Sequence, residues 1–328
     1  MIDFFKSIPS QVVTYIISFV IALATGRVVI PLLKKLKISQ TEREEGPESH
    51  KYKTGTTTMG GIIFLTPVVL VGTIYGITDP RIFPLILVTL GFAFIGFLDD
   101  YLKIVRRNNK GLTPRQKMLG LLIVSGVFTW YAMTFVNDAR TLILPFLGYY
   151  KPLVMPLVFA VPFCIFVLLA FTNAVNLTDG LDGLAGSVTT IVLLFYTVVT
   201  MFNSQWDYIR IFCSILAGGI LGFLVYNLHP AKIFMGDTGS LAIGGALSAA
   251  AIFTGTPVFL GLAGIIYVAE TLSVMIQVFY FKRTGRRVFL MAPLHHHFEQ
   301  KGWSEIKVVG VFTAVTLLNS ILAFLVMR

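Results

Sequence analysis

Charged side chains are scarce in this sequence. They make up 13% of its 328 residues, about half the share of an ordinary soluble domain, so most of its surface must face something other than water. Cysteine is scarcer still, with two copies. Cys164 and Cys213 both stand inside apolar segments, which excludes a disulfide framework or a thiolate zinc site and leaves two small core residues. Acids number 16 against 26 bases, a net charge of +10. Such an excess can signal nucleic acid, but here the bases flank hydrophobic segments. Membrane orientation and anionic headgroups account for them, and no nucleic-acid partner is expected.

What is abundant is apolar sequence, at 55% of the chain with a mean hydropathy of +0.81. A helix crossing the hydrocarbon needs about 20 mostly apolar residues. Runs of that kind lie at about 11–33, 59–77, 82–98, 117–136, 153–171, 184–202, 210–226, 240–254, 257–280 and 308–327. The first imitates a signal peptide, with Lys6 ahead of it and Ala22-Leu23-Ala24 as a cleavage site. Its continuation through Val28 to Leu33 is too long for a signal core. The eighth run is short and rich in glycine and alanine, which lets neighbouring helices approach closely. Gly255-Thr256-Pro257 separates it from the ninth by a turn. The expected fold is therefore all-α and polytopic: one membrane domain over residues 1–328, with about ten transmembrane helices.

Ten spans put five loops on one side. Lys34, Lys35, Lys37, Arg43, Lys51 and Lys53 fall in the first of them, and Lys103, Arg106, Arg107, Lys110, Arg115 and Lys117 in the second. Lys232 is in the fourth, and Lys282, Arg283, Arg286, Arg287, Lys301 and Lys307 are in the fifth. The opposite side has Lys6, Arg81, Arg140, Lys151, Arg210 and Arg328. The positive-inside rule makes the richer side cytoplasmic and puts both termini outside. All five histidines fall on that cytoplasmic side, as do Asp99, Asp100, Asp179, Asp182 and Asp237. The five cytoplasmic loops are therefore expected to form an active site.

Four stretches carry candidate chemistry. In Asp99-Asp100-Tyr101-Leu102-Lys103, two carboxylates meet the negative end of a helix dipole. Either Lys103 neutralises them as a surface ion pair, or Mg²⁺ or phosphate chemistry uses them. In the second, Asn173, Asn176, Asp179 and Asp182 recur every three residues, which aligns them on one face of a helical turn. Gly180 and Gly183 clear space for a ligand, although Asn, Asp and Gly also fill loops and caps. In Phe234-Met235-Gly236-Asp237-Thr238-Gly239-Ser240, Asp237 reads as a helix N-cap. It reads equally as a carboxylate beside exposed helix-terminal amides, an anion site with Mg²⁺ at its edge. The fourth is His295-His296-His297. Consecutive histidines cannot all face one metal, so zinc is not expected; they donate to a diphosphate or pack at the interface.

Two further features are weaker. Lys53 and the run Gly55–Gly61 offer many small donors and suit a ligand loop. Glu270, seven residues before Gln277, is an acid deep within a span, marking either function or an interhelical hydrogen bond. Carboxylates, helix-terminal amides and bases at a membrane edge suit phosphoryl transfer between a soluble nucleotide and a lipid phosphate. Secondary transporters, in contrast, bind at the midplane.

The stretches GTTTMGG at 55–61, LDDYLK at 98–103, NAVNLTDGLDGLAG at 173–186, FMGDTGSLAIGG at 234–245 and MAPLHHHFEQKGWSE at 291–305 resemble the polyprenyl-phosphate N-acetylhexosamine-1-phosphate transferases. They follow the family's order over almost the whole chain. The triple-histidine stretch points to the branch whose donor is UDP-N-acetylmuramoyl-pentapeptide (UDP-MurNAc-pentapeptide). The resemblance implies transfer of phospho-MurNAc-pentapeptide to undecaprenyl phosphate, giving lipid I and UMP, with Mg²⁺, in a ten-helix homodimer of the bacterial plasma membrane. It also implies roles. Asp237 binds Mg²⁺ with Asn176 as a second ligand, and Asp99, with Asp100 beside it, deprotonates the lipid phosphate. Asp182 and Phe234 hold the uracil; Thr58, Asn176 and Asp179 line the nucleoside-sugar region. Asn227, Lys103, Lys117 and the histidines surround the diphosphate. Thr57 departs from the family's proline, and Leu290 stands where a basic residue is expected. The rival readings are a sister enzyme transferring GlcNAc-1-phosphate and, from another class, an anionic-lipid transporter or flippase. A CDP-alcohol phosphotransferase is excluded because its DxxDGxxAR pattern is missing.

Overall fold

The computed structural model describes residues 9–36, 56–106, 111–147 and 152–327. Each expected apolar run is helical. We label the helices α1 (Ser10–Lys35), α2 (Gly61–Gly76), α3 (Phe83–Val105), α4 (Pro114–Phe135), α5 (Leu157–Thr178) and α6 (Leu184–Val199). They continue as α7 (Asp207–Asn227), α8 (Gly236–Phe253), α9 (Pro257–Ala263), α10 (Ile265–Thr284), α11 (Leu294–Gln300) and α12 (Glu305–Met327). Among the described residues, eight helical segments are long and apolar enough to cross a membrane. Helix α2, with 16 residues, and α8 are not among the eight.

The structure departs from the expected pattern in two places. The ninth run is two helices, a short α9 and a longer α10 hinged at Gly264. The connection between α4 and α5 holds a small antiparallel pair, β1 (Thr141–Leu142) and β2 (Leu153–Val154). The all-α description holds apart from these four residues.

The outer helices are packed inside out by the standards of a soluble protein. On α1 the buried positions are Thr14, Ser18, Ala22, Gly26, Ile30 and Leu33, while Ile16, Val20, Val28 and Leu32 are exposed. Helix α12 does the same in its middle turns, burying Thr316, Ser320 and Ala323 and exposing Leu318, Ile321, Leu322 and Leu325, while Val308, Phe312 and Met327 are buried toward its ends. When the surroundings are as apolar as leucine, burial of large side chains no longer drives helix association, and small residues that permit close packing take the interface. That is what α1 does on α7. A Cβ on Gly218 would lie 2.2 Å from the carbonyl oxygen of Tyr15, and one on Gly222 would lie 2.6 Å from the Ala22 side chain.

Helix α8 is the opposite case. Every residue from Thr238 to Phe253 is buried. Its many glycines and alanines are those of a helix enclosed by other helices. Gly96 of α3 settles against its first turn, where an added Cβ would lie 2.1 Å from the Asp237 carbonyl oxygen. That contact brings the C-terminal turn of α3 onto the N-terminus of α8 and positions the site.

Candidate active site

Four helix ends converge. The last turns of α3 carry Asp99, Asp100 and Lys103, the first turn of α4 carries Lys117, the last turn of α5 carries Asn176, and the first turns of α8 carry Asp237 and Ser240. Lys117 is presented by a capping box in which the Thr113 hydroxyl accepts the Gln116 N–H and the Gln116 side chain accepts the Thr113 N–H. The site is thus built mainly from terminal helical turns rather than from loops.

At its centre, Asp237 Oδ2 lies 2.8 Å from Lys117 Nζ and 3.2 Å from Lys103 Nζ. Asp237 Oδ1 accepts a 2.8 Å hydrogen bond from Asn176 Nδ2, which also donates to the Ser240 hydroxyl at 2.9 Å. Lys103 Nζ is 2.6 Å from Asp99 Oδ2 and 3.9 Å from Asp100 Oδ1. The other oxygen of Asp99 accepts the Leu112 N–H at 2.7 Å. Lys103 does pair with both aspartates, but they are buried, at 4% and 3% exposure, and the pair extends to Asp237. It is not the surface ion pair that the spacing allowed.

Asp237 is not an N-cap. The capping group is Asp100, which reaches across from α3 and accepts the Asp237 N–H at 3.2 Å, the Thr238 N–H at 2.9 Å and the Thr238 hydroxyl at 2.7 Å. A carboxylate at a helix N-terminus satisfies orphan amides and complements the dipole. The Asp237 and Thr238 amides are therefore occupied by the protein's own carboxylate and are not available to a phosphate. Because Asp100 does the capping, both oxygens of Asp237 are left to the lysines and Asn176.

Carboxylate oxygens of Asp99, Asp100 and Asp237 lie within 4.8 Å of one another. Two ammonium groups stand against these three carboxylates, so one negative charge is uncompensated among the groups described. An oxygen-rich donor set with net negative charge fits a hard divalent cation such as Mg²⁺, which takes one or two carboxylates and completes its shell from water and phosphate; Asn176 turns its Nδ2 to Asp237 and its Oδ1 to Lys117.

The remaining expected residues divide. Asn173 turns back to its own helix, Nδ2 donating to the Leu169 carbonyl at 2.7 Å. The three-residue register fails beyond Asn176 because α5 ends at Thr178, with Asp179 as its C-cap and Gly183 in the left-handed region at φ 79°. Asp182 therefore lies in a turn, not on a helical face. Its Oδ2 accepts the Ala231 N–H at 3.0 Å and lies 3.2 Å from His229 Nδ1. Asn227 is buried and bridges backbones, accepting the Gly183 N–H at 3.0 Å and donating to the Ile233 carbonyl at 2.9 Å. Phe234 pairs with the glycine–threonine stretch: its N–H donates to the Thr57 carbonyl at 2.7 Å, and its carbonyl accepts the Gly60 N–H at 2.8 Å. Thr58 is buried beside Gly236. Lys53 lies outside the described residues.

The three histidines diverge, as their adjacency requires. His295 is buried, and its Nδ1 sits 3.1 Å from Glu270 Oε1, which also accepts the His295 N–H at 3.2 Å. The intramembrane acid thus makes an interhelical hydrogen bond, its partner standing on the short α11 of the histidine stretch. His296 Nδ1 is 2.8 Å from Glu299 Oε2. His297 Nδ1 accepts the Leu290 N–H at 3.1 Å; burial and then Lys301 lower its pKa, consistent with a neutral ring. Gln277 holds the segment before them, accepting the Val288 and Phe289 N–H groups and donating to the Phe289 carbonyl. Ser240, His229 and Glu305 were not among the expected site residues. Ser240 stood inside a recognised stretch, while Glu305, as the first residue of a helix, reads as an ordinary dipole partner.

The model of Glycosyl transferase family 4 matches residues 82–255 of this helical bundle. That span contains every residue of the central network. The phospho-N-acetylmuramoyl-pentapeptide-transferase of Acetivibrio thermocellus is 53% identical over 323 residues, 98% of this chain and 97% of the relative. Enzymes of the same name from Carboxydothermus hydrogenoformans and Clostridium perfringens (strain 13 / Type A) are 50% and 49% identical over 95% and 96% of the chain, covering 97% and 98% of those relatives. The chain belongs to the family of the phospho-N-acetylmuramoyl-pentapeptide-transferases.

Proposed function

We propose that this protein transfers phospho-MurNAc-pentapeptide from its UDP conjugate to undecaprenyl phosphate, releasing UMP and forming lipid I for peptidoglycan synthesis. The observation that carries the reading is the meeting of Asp99, Lys103, Lys117, Asn176 and Asp237 at four helix ends, in a chain about half identical to enzymes of that name. An oxygen of the lipid phosphate attacks the β-phosphorus of the donor. One P–O bond forms, and the bond from that phosphorus to the bridging oxygen breaks, so the oxygen leaves with UMP. One diphosphate linkage replaces another, and no ATP is consumed.

Asp99 takes the proton from the lipid phosphate. It is preferred to Asp100 because the latter is engaged by three donors at the start of α8. Lys103 and Lys117 face the diphosphate, where ammonium groups offset the charge that develops on the leaving group. Asp237, with Asn176, would hold Mg²⁺, which would neutralise diphosphate charge when bound. Asp182 and Phe234 hold the uracil, and Thr58, Asn173, Asp179, Lys53 and Asn227 line the donor site. His295, His296 and His297 border the diphosphate end.

The chain crosses the bacterial plasma membrane ten times, α2 and α8 included, with both termini outside and the site cytoplasmic. The lysine and arginine excess on the loops of that side supports this orientation. The protein works as a homodimer. The test is donor choice: purified protein with undecaprenyl phosphate and either UDP-MurNAc-pentapeptide or UDP-GlcNAc, followed by UMP release and labelled lipid product. Product from UDP-GlcNAc alone moves the protein to the sister activity. Lipid movement across vesicles without UMP release makes it a transporter.

A further inference from the structure

Glu305 opens α12, where an acid ordinarily complements its own helix dipole. Its carboxylate is directed elsewhere. Oε1 accepts the backbone N–H of Asp182 at 2.6 Å, and Oε2 lies 3.3 Å from His229 Nδ1. His229 Nδ1 is also 3.2 Å from Asp182 Oδ2, the oxygen that accepts the Ala231 N–H at 3.0 Å. The Glu305 and Asp182 side chains are 9% and 2% exposed and His229 is 30% exposed, so the bond from the Asp182 amide to Glu305 is shielded from water, where a charge-assisted hydrogen bond is strongest, while the imidazole is open to solvent on one side. The bonds fix both halves of Asp182: the amide through Glu305, the carboxylate through Ala231 and His229. They also tie three chain segments together, namely the α5–α6 turn, the α7–α8 connection that leads to Phe234, and the start of α12 just after the histidine stretch.

We propose that Glu305 is a positioning residue for the nucleoside end of the donor, holding Asp182 and His229 in the arrangement that receives the base. This rests on the reading above that Asp182 and Phe234 hold the uracil. Glu305 itself does not touch the donor. Its removal frees the Asp182 amide and lets the carboxylate turn, which weakens base recognition without altering the centre at Asp99 and Asp237.

The test compares wild type, Glu305→Gln and Glu305→Ala in UMP release from UDP-MurNAc-pentapeptide and undecaprenyl phosphate, with UMP as product inhibitor. Loss of one charge-assisted hydrogen bond corresponds to about tenfold in binding. Glu305→Ala is expected to raise the donor KM and the UMP inhibition constant together by about that factor. The KM for the lipid and kcat at saturating donor stay near wild type. Glu305→Gln retains an oxygen for the Asp182 amide but loses the charge facing His229, and shows a smaller rise in both constants. A fall in kcat with both donor constants unchanged overturns the proposal, because that is what a general loss of folded enzyme produces. If Glu305→Ala does not fold, the glutamine variant decides: unchanged donor KM and UMP inhibition there overturn the proposal. Absence of UMP release by the wild type refutes the functional reading instead.

Discussion

Replacing Asp100 by asparagine changes one atom and removes the charge that caps α8. The carboxylate accepts three hydrogen bonds, from the Asp237 N–H, the Thr238 N–H and the Thr238 hydroxyl, and the residue is 3% exposed. Asparagine offers one acceptor oxygen, and its NH₂ group then faces donors. At least one amide is left unpaired in a buried place, at about 1–3 kcal/mol, and the interaction of a full negative charge with the helix terminus is lost, at about 0.3–1 kcal/mol. The expected total is about 1–4 kcal/mol, on the order of 5 °C in apparent melting temperature. The assay is thermal unfolding in detergent at a fixed scan rate, since such proteins often unfold irreversibly, run beside Asp99→Asn and paired with turnover. Asp99→Asn is expected to lose turnover with a smaller thermal shift, because its carboxylate meets one backbone amide and Lys103 and caps no helix. An Asp100→Asn protein that melts with the wild type refutes the capping role. So does an Asp99→Asn protein that loses more stability than Asp100→Asn.

Gly96→Ala is expected to cost about 1–3 kcal/mol as overpacking and to lower turnover, because the new methyl meets the Asp237 backbone and must push α3 off α8; unchanged melting and activity would contradict this. Thr57→Val is expected to be neutral or stabilising in the same unfolding assay. The Thr57 hydroxyl is buried with no hydrogen-bond partner, and an apolar isostere removes an unsatisfied group. His297 has a pKa lowered by burial and by Lys301, so the folded state takes up its proton less readily than the unfolded chain. Its contribution to stability is therefore present above the unfolded pKa of about 6.5 and is lost as pH falls through the folded value. The difference in melting temperature between wild type and His297→Asn should shrink from pH 7.5 to pH 5.5, and a difference that grows would reverse the assignment.

The apolar runs were legible because the rule that makes them is local: about 20 residues without charge. Less legible was which of them is central. Helix α8 is buried throughout from Thr238 to Phe253, yet its sequence reads as a short run of small residues, since close contact with neighbours selects glycine and alanine over leucine. The carboxylates of the centre were also legible, as acids in a chain that has few. Their division of labour was not. Asp237 satisfies every local criterion for an N-cap, and only the approach of α3 through Gly96 shows that Asp100 takes that place. The three-residue register of Asn173, Asn176, Asp179 and Asp182 similarly presumed a helix that ends at Thr178. Glu270 was visible as an acid within a span, but its partner His295 is 25 residues away and belongs to a different helix. Contacts of that kind depend on how the bundle folds back and leave no spacing to read.

The most direct measurement is UMP release from UDP-MurNAc-pentapeptide and undecaprenyl phosphate over a Mg²⁺ titration, for the wild type and for Asp237→Asn. Asparagine keeps the side-chain shape beside Lys117 and Asn176 and removes the charge. The account predicts Mg²⁺-dependent release by the wild type and none above background by the variant, which remains folded and extractable. Near-normal, Mg²⁺-dependent release by Asp237→Asn would contradict it.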